Sequence, residues 1–369
     1  MVIFDEELYN MSIFGKPKKT AMEQEIYEQP DILAGIMEKE GIDKISVPDT
    51  VSKIVLVASG SSYHCARFSG DLLGEIAGLE ARAIYSSEFL LKKIIPHDKN
   101  TLYVFITQSG ETTDTVRALR RVNEGFYDEN GDKYYLETLC ITNKEDSTIW
   151  RESRFHVNCL AGTERSIAAT KSFTAQMLCV LTVALKIAKN KGHDIDNYIA
   201  SLKDLPNVIR QTLGLRDKVH QLAGLLAHQR VVVILAEGIS YAIAKEGALK
   251  IKETSYMNIN AALIGEFMHG HLAVLNRRAS VIYLSVDGIS AGAADNLDKI
   301  KKEYNPSIYI IGKHNNRYIS NFNINIDCEN EILQMFSNAV ICQMLALEIA
   351  GKLHRNIDKP KGLKKVVIQ

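Results

Sequence analysis

The chain repeats itself at a fixed offset of 178 residues, from Gly60 to Gly238, and this duplication limits its possible folds more than any other feature. The segments that match at this offset are Gly60-Ser61-Ser62-Tyr63 with Gly238-Ile239-Ser240-Tyr241, Glu75 with Glu253, Ser87-Glu88-Phe89 with Gly265-Glu266-Phe267, Val104-Phe105-Ile106-Thr107 with Ile282-Tyr283-Leu284-Ser285, and Gly110 with Gly288. A common offset for all of them predicts a duplicated domain, with one repeat at about 50–190 and the other at 225–350.

Short apolar runs alternate with helical patterns in both repeats. The runs that we interpret as strands are KIVLVAS (53–59), TLYVFIT (101–107), YYLETLCIT (134–142), FHVNCL (155–160), RVVVILA (230–236), SVIYLSV (280–286), PSIYIIG (306–312) and FNINIDC (322–328). Apolar strands separated by helices are typical of parallel sheets that are covered by helices. The sequence therefore predicts an α/β protein with two domains, joined by linker helices at 191–224.

Composition excludes several classes of partner. The 44 basic residues balance the 44 acidic ones, whereas nucleic-acid binders usually carry a basic excess. The six cysteines form no CxxC pair, which favours free thiols in a reducing compartment. We find no secretory signal and no stretch approaching the ~18–20 uncharged apolar residues of a membrane span. We expect a cytoplasmic protein without nucleic-acid or membrane partners, and without a cofactor or metal.

Two hydroxyl-rich loops predict a phosphate site in the first repeat. The segments ASGSSYH (58–64) and FITQSGETTDT (105–115) each follow a strand, turn at a glycine and open a helix. Backbone N–H groups and the positive end of a helix favour an anion at such a place. The alternative is that these hydroxyl groups are ordinary helix caps. The second repeat carries Asp287 where the first has Ser109, so we expect phosphate to bind in the first repeat only.

A charged stripe follows the first strand of the second repeat. At 100° per residue, Glu246, Lys250 and Glu253 lie within about 60° of one another on a helix. One interpretation is a solvated face with a favourable i,i+4 pair. The other is an acid/base surface, which is favoured because His269 and His271 follow shortly after in a loop. The two close histidines are a weak metal signal without an obvious third ligand.

Taken together, these motifs resemble the SIS (sugar isomerase) family, in particular the isomerase half of the glucosamine-6-phosphate synthases. The similar stretches are MEQEIYEQP (22–30), SGSSY (59–63), SEF (87–89), TQSGETTDT (107–115), AGTERSIAATKSFTAQ (161–176), EGALKIKETSY (246–256), GEFMHGHLA (265–273) and DKPKGLKK (358–365). The resemblance implies two tandem SIS domains of flavodoxin-like three-layer α/β/α architecture at 50–190 and 225–350. A helical extension would occupy 1–49, and 351–369 would be an active-site tail.

The resemblance also implies roles for individual residues. Glu253 would be the base that moves a proton between C1 and C2, and Lys365 would form a Schiff base with the open-chain ketose. His269 would assist ring opening from the neighbouring subunit of a homodimer with shared active sites, while Glu246 and Lys250 would line the site. The implied phosphate ligands are Ser62, Thr107, Gln108, Ser109 and Thr112, and the other implied substrate contacts are Gly60, Ser61 and Ala168.

The expected function is that of a phosphosugar isomerase or aminotransferase. It would interconvert a ketose 6-phosphate and an amino-sugar 6-phosphate of the glucosamine type. Because residue 2 is Val and not the cysteine of a glutaminase domain, we expect free ammonia and no glutamine hydrolysis. Ala169, Glu237 and His271 depart from the family pattern and leave the exact substrate open. The alternatives are a deglycase of fructosamine 6-phosphates and a non-catalytic sugar-phosphate-binding regulator.

Overall fold

A computed structural model describes residues 19–95, 98–315, 317–326 and 328–365. The extension before the first repeat contains α1 (Ala21–Tyr27) and α2 (Gln29–Lys39), and its residues 1–18 lie outside the described part, as do 366–369 of the tail. The first repeat consists of β1 (Lys53–Ala58), α3 (Gly60–Ala77), β2 (Glu80–Tyr85), α4 (Ser86–Leu91), β3 (Thr101–Thr107), α5 (Thr113–Asn123), β4 (Phe126–Tyr127), β5 (Lys133–Tyr134), β6 (Glu137–Thr142), α6 (Thr148–Glu152), β7 (Phe155–Asn158) and α7 (Lys171–Asn190).

Three helices connect the repeats: α8 (Asp196–Leu202), α9 (Leu205–Leu213) and α10 (Arg216–Leu226). The second repeat consists of β8 (Val232–Ala236), α11 (Ser240–Ser255), β9 (Ile259–Leu263), α12 (Ile264–Phe267), a 3₁₀ turn (His271–Val274), β10 (Ser280–Ser285), α13 (Ala291–Tyr304), β11 (Ser307–Gly312), β12 (Phe322–Ile324) and α14 (Glu331–Lys352). The predicted α/β class is confirmed, with one five-stranded parallel sheet in each repeat.

The two sheets have the same strand order, β2-β1-β3-β6-β7 and β9-β8-β10-β11-β12. In the first sheet Ile54 lies opposite Ala81, and in the second Val232 lies opposite Ile259, so the partner is 27 residues further along in both. The fixed offset ends after the third strand of each sheet, because the first repeat inserts the antiparallel β4–β5 hairpin before β6. The duplication is therefore structural as well as sequential.

The core is divided between a shared interior and two outer layers. Along β1, Ile54 and Leu56 face the interior, while Val55 and Val57 face an outer core beneath α4 and α5. The shared interior contains buried side chains from α3, α7, α11 and α14, and strands of both sheets pack against it. Strands with two apolar faces are what parallel sheets covered on both sides require.

The expectation that no segment is long and apolar enough to span a membrane is wrong for two helices. Within the described residues, α7 and α14 meet that criterion by length and composition. Their apolar windows are 94% buried inside the fold, so both are core helices of the shared interior.

The sequence prediction also omitted β2 and β9. Both are edge strands, and most of their residues are partly or fully exposed. A strand that contacts only one neighbour and carries few buried side chains lacks the continuous apolar run that marks the central strands.

Candidate active site

A cavity of about 370 Å³ opens at the carboxyl ends of β1 and β3, beside α11 of the second repeat and the C-terminal tail. This edge of a parallel sheet is where α/β proteins bind ligands. The predicted site residues that line it are Gly60, Ser61, Ser62, Thr107, Gln108, Ser109, Thr112, Lys250, Glu253 and Lys365. The fold thus brings together residues from both repeats and the tail, up to 305 positions apart (60 to 365).

Two left-handed glycines shape the hydroxyl-rich loops. Gly60 has φ +57° at the start of α3, and Gly110 has φ +68° before α5. A Cβ at Gly110 would lie 2.0 Å from Ser147 Oγ, so the close approach of the second loop to the N-terminus of α6 requires glycine. Helices α3 and α5 both begin at this cavity, where the N–H groups of their first turns favour an anion.

The N-cap hydroxyl groups of α3 and α5 make no capping hydrogen bond. Ser59 and Thr112 occupy these two N-cap positions. Thr112 Oγ1 lies instead 3.1 Å from Thr107 Oγ1. Elsewhere in the chain, Ser147 and Ser290 do cap their helices. The ordinary-cap alternative thus does not describe Thr112, whose hydroxyl group is available to a ligand.

The second repeat keeps the backbone of these loops but not their chemistry. Gly238 and Gly288 have φ values of +50° and +82°, as their counterparts Gly60 and Gly110 do. However, Ser290 Oγ donates to Glu237 Oε1 at 3.1 Å and also caps α13. A carboxylate at this place disfavours phosphate, and phosphate binding in the first repeat only stays a prediction.

The charged stripe on α11 is largely buried. The side chains of Glu246 and Lys250 are 3% and 1% exposed, so the solvated-face alternative is wrong for these two residues. Lys250 Nζ lies 2.5 Å from Glu253 Oε2, 3.1 Å from Ser61 Oγ and 3.4 Å from Glu246 Oε1. Glu253 is 22% exposed and lines the cavity. The one ammonium group is therefore shared between two carboxylates and a serine of the phosphate loop.

Mutual pairing keeps the buried members of the stripe charged. Burial would lower the pKa of Lys250, but the neighbouring charges of Glu246 and Glu253 outweigh burial, and the pKa is raised. Burial would likewise raise the pKa of Glu246, but Lys250 and the hydrogen bond from His64 outweigh it, and this pKa is lowered. Both groups are thus ionised at neutral pH.

Sequence reasoning missed His64, which completes the stripe from the first repeat. His64 lies one turn into α3, and its Nδ1 atom is 2.7 Å from Glu246 Oε2. The histidine is buried, as is its partner. The sequence signal was available, because His64 ends the ASGSSYH segment and Ala242 stands at its repeat counterpart. Nothing in the spacing of His64 and Glu246, however, indicated that they meet.

Glu164 is a second residue that the sequence did not reveal. It is fully buried, lines the cavity, and accepts hydrogen bonds from Thr170 N (2.9 Å), Ser172 N (3.1 Å) and Ser172 Oγ (2.6 Å) at the start of α7. Lys365 Nζ lies 2.5 Å from its Oε2 atom. Burial would raise the pKa of Glu164, but the charge and hydrogen bond of Lys365 and the donors on α7 outweigh burial and lower it.

Three predicted residues do not line the cavity. Glu246 contacts the cavity-lining Lys250, with its Oε1 atom 3.4 Å from Lys250 Nζ. Ala168 is fully buried, and its segment contributes Ile167 and Ala169 to the lining instead. His269 follows α12, is exposed, and does not line the cavity of its own chain. A contact of His269 with a neighbouring subunit remains a prediction.

Comparison with known proteins agrees with this geometry. A profile of the SIS domain matches residues 50–186 and 225–352. The chain is 30% identical to glutamine–fructose-6-phosphate aminotransferase (isomerizing) 1 of Rattus norvegicus over 94% of its own length and 52% of the relative. It is 30% identical to the corresponding enzyme of Aquifex aeolicus, over 95% of the chain and 58% of the relative. It therefore spans about half the length of the curated relatives it matches.

A solved structure extends the comparison. The C-terminal domain of glucosamine-fructose-6-phosphate aminotransferase from Francisella tularensis superposes with a TM-score of 0.86 and 25% sequence identity, covering 93% of this chain and 99% of that one. Fold and comparisons define an enzyme made of two repeated α/β domains, with a cavity lined by residues of both. The chain belongs to the SIS domain family, and the expected resemblance is confirmed.

Proposed function

We propose that the chain is a phosphosugar isomerase that interconverts a ketose 6-phosphate and an amino-sugar 6-phosphate, of the fructose and glucosamine type, with free ammonia as its nitrogen partner. The observation that carries the proposal is the position of Glu253. This partly exposed carboxylate lies in the same cavity as the hydroxyl-rich loops and is paired at 2.5 Å with Lys250. An isomerase of this kind needs both a remote phosphate anchor and a base beside the reacting carbons.

The two hydroxyl-rich loops that line the cavity would form the phosphate anchor. Ser62, Ser109 and Thr112 supply hydroxyl groups there, and the N-termini of α3 and α5 supply backbone N–H groups. Binding energy from a phosphate that does not react orients the sugar and contributes to the rate. Ser61 joins the anchor to the base, because its hydroxyl group accepts from Lys250 at 3.1 Å.

Proton transfer is assigned to Glu253. Its carboxylate would take the proton from C1 of the ketose derivative and return it to C2, a step that general-base catalysis accelerates by about 10²–10⁴-fold. Lys365 would add to the ketose carbonyl with loss of water to form an imine, and ammonia would then displace the Lys365 amine to leave an imine of ammonia at C2. The imine makes the neighbouring C1 proton more acidic. The Nζ atom of Lys365 lies 2.5 Å from Glu164 Oε2, and only the neutral amine form of a lysine can attack a carbonyl.

The proposal includes a homodimer in the cytoplasm. His269 is exposed and lies outside the cavity lining of its own chain, which supports its delivery to the cavity of a neighbouring subunit for ring opening. Size-exclusion chromatography with light scattering tests this part, since a monomer that is fully active would contradict it.

Two assays on the purified chain test the reaction. One follows ammonia release from glucosamine 6-phosphate and its reversal with fructose 6-phosphate and ammonium, with glutamine as the comparison donor. The other follows loss of a fructosamine 6-phosphate, the substrate of the deglycase alternative, which would use the same cavity. We expect turnover in the first assay with ammonia. Turnover in the second alone would favour the deglycase, and turnover in neither would contradict an enzyme acting on these substrates.

A further inference from the structure

The interface between the repeats contains polar contacts whose symmetric counterparts are apolar, and one of them joins His64 to Glu246. Helices α3 and α11 occupy equivalent places in the two repeats and pack against each other. The offset of 178 relates His64 to Ala242 and Glu246 to Phe68. Ala242 and Phe68 belong to the shared apolar core, whereas His64 and Glu246 form a buried hydrogen bond of 2.7 Å.

Packing of the two helices does not require this polar pair. Replacing buried charged pairs by apolar residues of similar size is often neutral or stabilising, because burial of charge has a large desolvation cost. Both counterparts, Ala242 and Phe68, are buried in the shared apolar core, so the equivalent positions of these two helices accommodate apolar residues. The pair of His64 and Glu246 therefore has a reason other than packing.

That reason is visible in the contacts of Lys250. Glu246 is held in its charged form, so its carboxylate only accepts, and His64 Nδ1–H is the donor. The other oxygen of Glu246, Oε1, lies 3.4 Å from Lys250 Nζ, and the hydroxyl group of Ser61 also helps to lower the pKa of this carboxyl. Lys250 is closer to Glu253, at 2.5 Å. Two carboxylates thus compete for one ammonium group, and Glu253 holds it more closely.

We propose that His64 is a positioning residue, which holds Glu246 back so that Lys250 remains with Glu253 and Ser61. This inference rests on the proposed role of Glu253 as the base. Without the hydrogen bond from His64, Glu246 would turn both oxygens towards Lys250 and draw it away from Glu253. The phosphate-loop helix α3 would in this way control the acid/base group of the other repeat.

The kinetic test uses three variants. His64→Leu removes the donor, and His64→Asn keeps an amide donor of similar reach. His220→Asn is the matched control, because His220 makes an exposed pair of equal length, 2.7 Å, with Glu348 and does not line the cavity. All three are compared with the wild type for kcat, KM and melting temperature.

We expect His64→Leu to lower kcat by roughly 10- to 100-fold, the effect of losing a hydrogen bond to a buried charge, with KM within about three-fold of wild type. His64→Asn should recover kcat to within about five-fold, and His220→Asn should behave as wild type. An unchanged kcat in His64→Leu, or an Asn variant no better than the Leu variant at equal folding, would overturn the proposal.

A second measurement does not depend on turnover. The ¹⁵N signal of the Lys250 side chain is recorded in the wild type, His64→Leu and His220→Asn proteins. The proposal predicts that the signal moves in His64→Leu, as Lys250 changes its carboxylate partner, and stays in place in His220→Asn. If the wild type lacked activity on every sugar phosphate, the proposed function would fail, but the NMR measurement would still decide whether His64 positions Lys250. An unmoved Lys250 signal in His64→Leu would refute the positioning role of His64.

Discussion

Lys365 Nζ lies 2.5 Å from Glu164 Oε2, although the two residues are 201 positions apart in the chain. Glu164 is fixed at the N-terminus of α7, so it offers the tail a rigid and charged anchor. The tail is held a second time by Asp358, whose carboxylate accepts from the N–H groups of Ala21 and Met22 at the start of α1. These contacts close one side of the cavity and place a lysine at it.

Lys365 is expected to carry the imine. Borohydride reduction in the presence of a ketose 6-phosphate should label the wild-type chain on Lys365, as read by peptide mass spectrometry. Lys365→Met should abolish the label, whereas Lys361→Met, which changes an exposed lysine of the same tail, should keep it. Labelling of another lysine in the wild type, or none with a substrate that is turned over, would remove the Schiff-base role.

Glu164 should make the free energy of unfolding fall as the pH becomes acidic. Because its pKa is lowered in the folded protein, its contribution is fully present above the unfolded value of about 4.3 and is lost as the pH falls through the folded value. Glu164→Gln should reduce the free energy of unfolding at pH 7 by about 1–3 kcal/mol. Urea unfolding from pH 7 to 3 should show a shallower decline for this variant than for wild type.

The control for that experiment is Glu303→Gln, which changes an exposed carboxylate on α13. Its pH dependence should parallel that of the wild type. Parallel curves for Glu164→Gln and wild type would indicate that the ion pair with Lys365 does not hold Glu164 charged in solution.

Thr112 and Ser290 test the phosphate loop as a matched pair, because they are counterparts at the offset of 178. Thr112→Ala should weaken binding of a sugar 6-phosphate by about 5- to 20-fold, since the hydroxyl group of Thr112 makes no helix-capping hydrogen bond and Thr112 lines the cavity. Ser290→Ala should leave this affinity unchanged and lower stability by about 1 kcal/mol, since it caps α13. Calorimetry and thermal melting distinguish the two effects, and equal affinities would argue against the phosphate loop.

Sequence patterns predicted the parts of the fold that depend on residues close together in the chain. The central strands carry continuous apolar runs, and the match between the two repeats indicated that both contain such strands. The edge strands β2 and β9 were missed because their exposed side chains interrupt that pattern. The hairpin β4–β5 is an insertion in one repeat only, so the duplication gave no indication of it.

In the candidate site, too, local features were predicted and contacts between distant residues were not. Residues that follow strands, such as Ser62 and Ser109, could be located because parallel strands end at one sheet edge. The contacts of His64 with Glu246 and of Lys365 with Glu164 join residues 182 and 201 positions apart. They depend on how α3 packs on α11 and how the tail returns to α7, and neither arrangement has a local sequence signal.

Glu253 is proposed to move a proton between C1 and C2 of a sugar 6-phosphate. The most direct measurement of this transfer is deuterium exchange, in which fructose 6-phosphate and glucosamine 6-phosphate are incubated with the chain in D₂O and followed by proton NMR. The wild type should introduce deuterium at C1 or C2. Glu253→Gln should slow this exchange by about 10²–10⁴-fold while sugar-phosphate affinity stays within about three-fold, and Glu303→Gln should exchange normally. Exchange at the wild-type rate in Glu253→Gln would contradict the account.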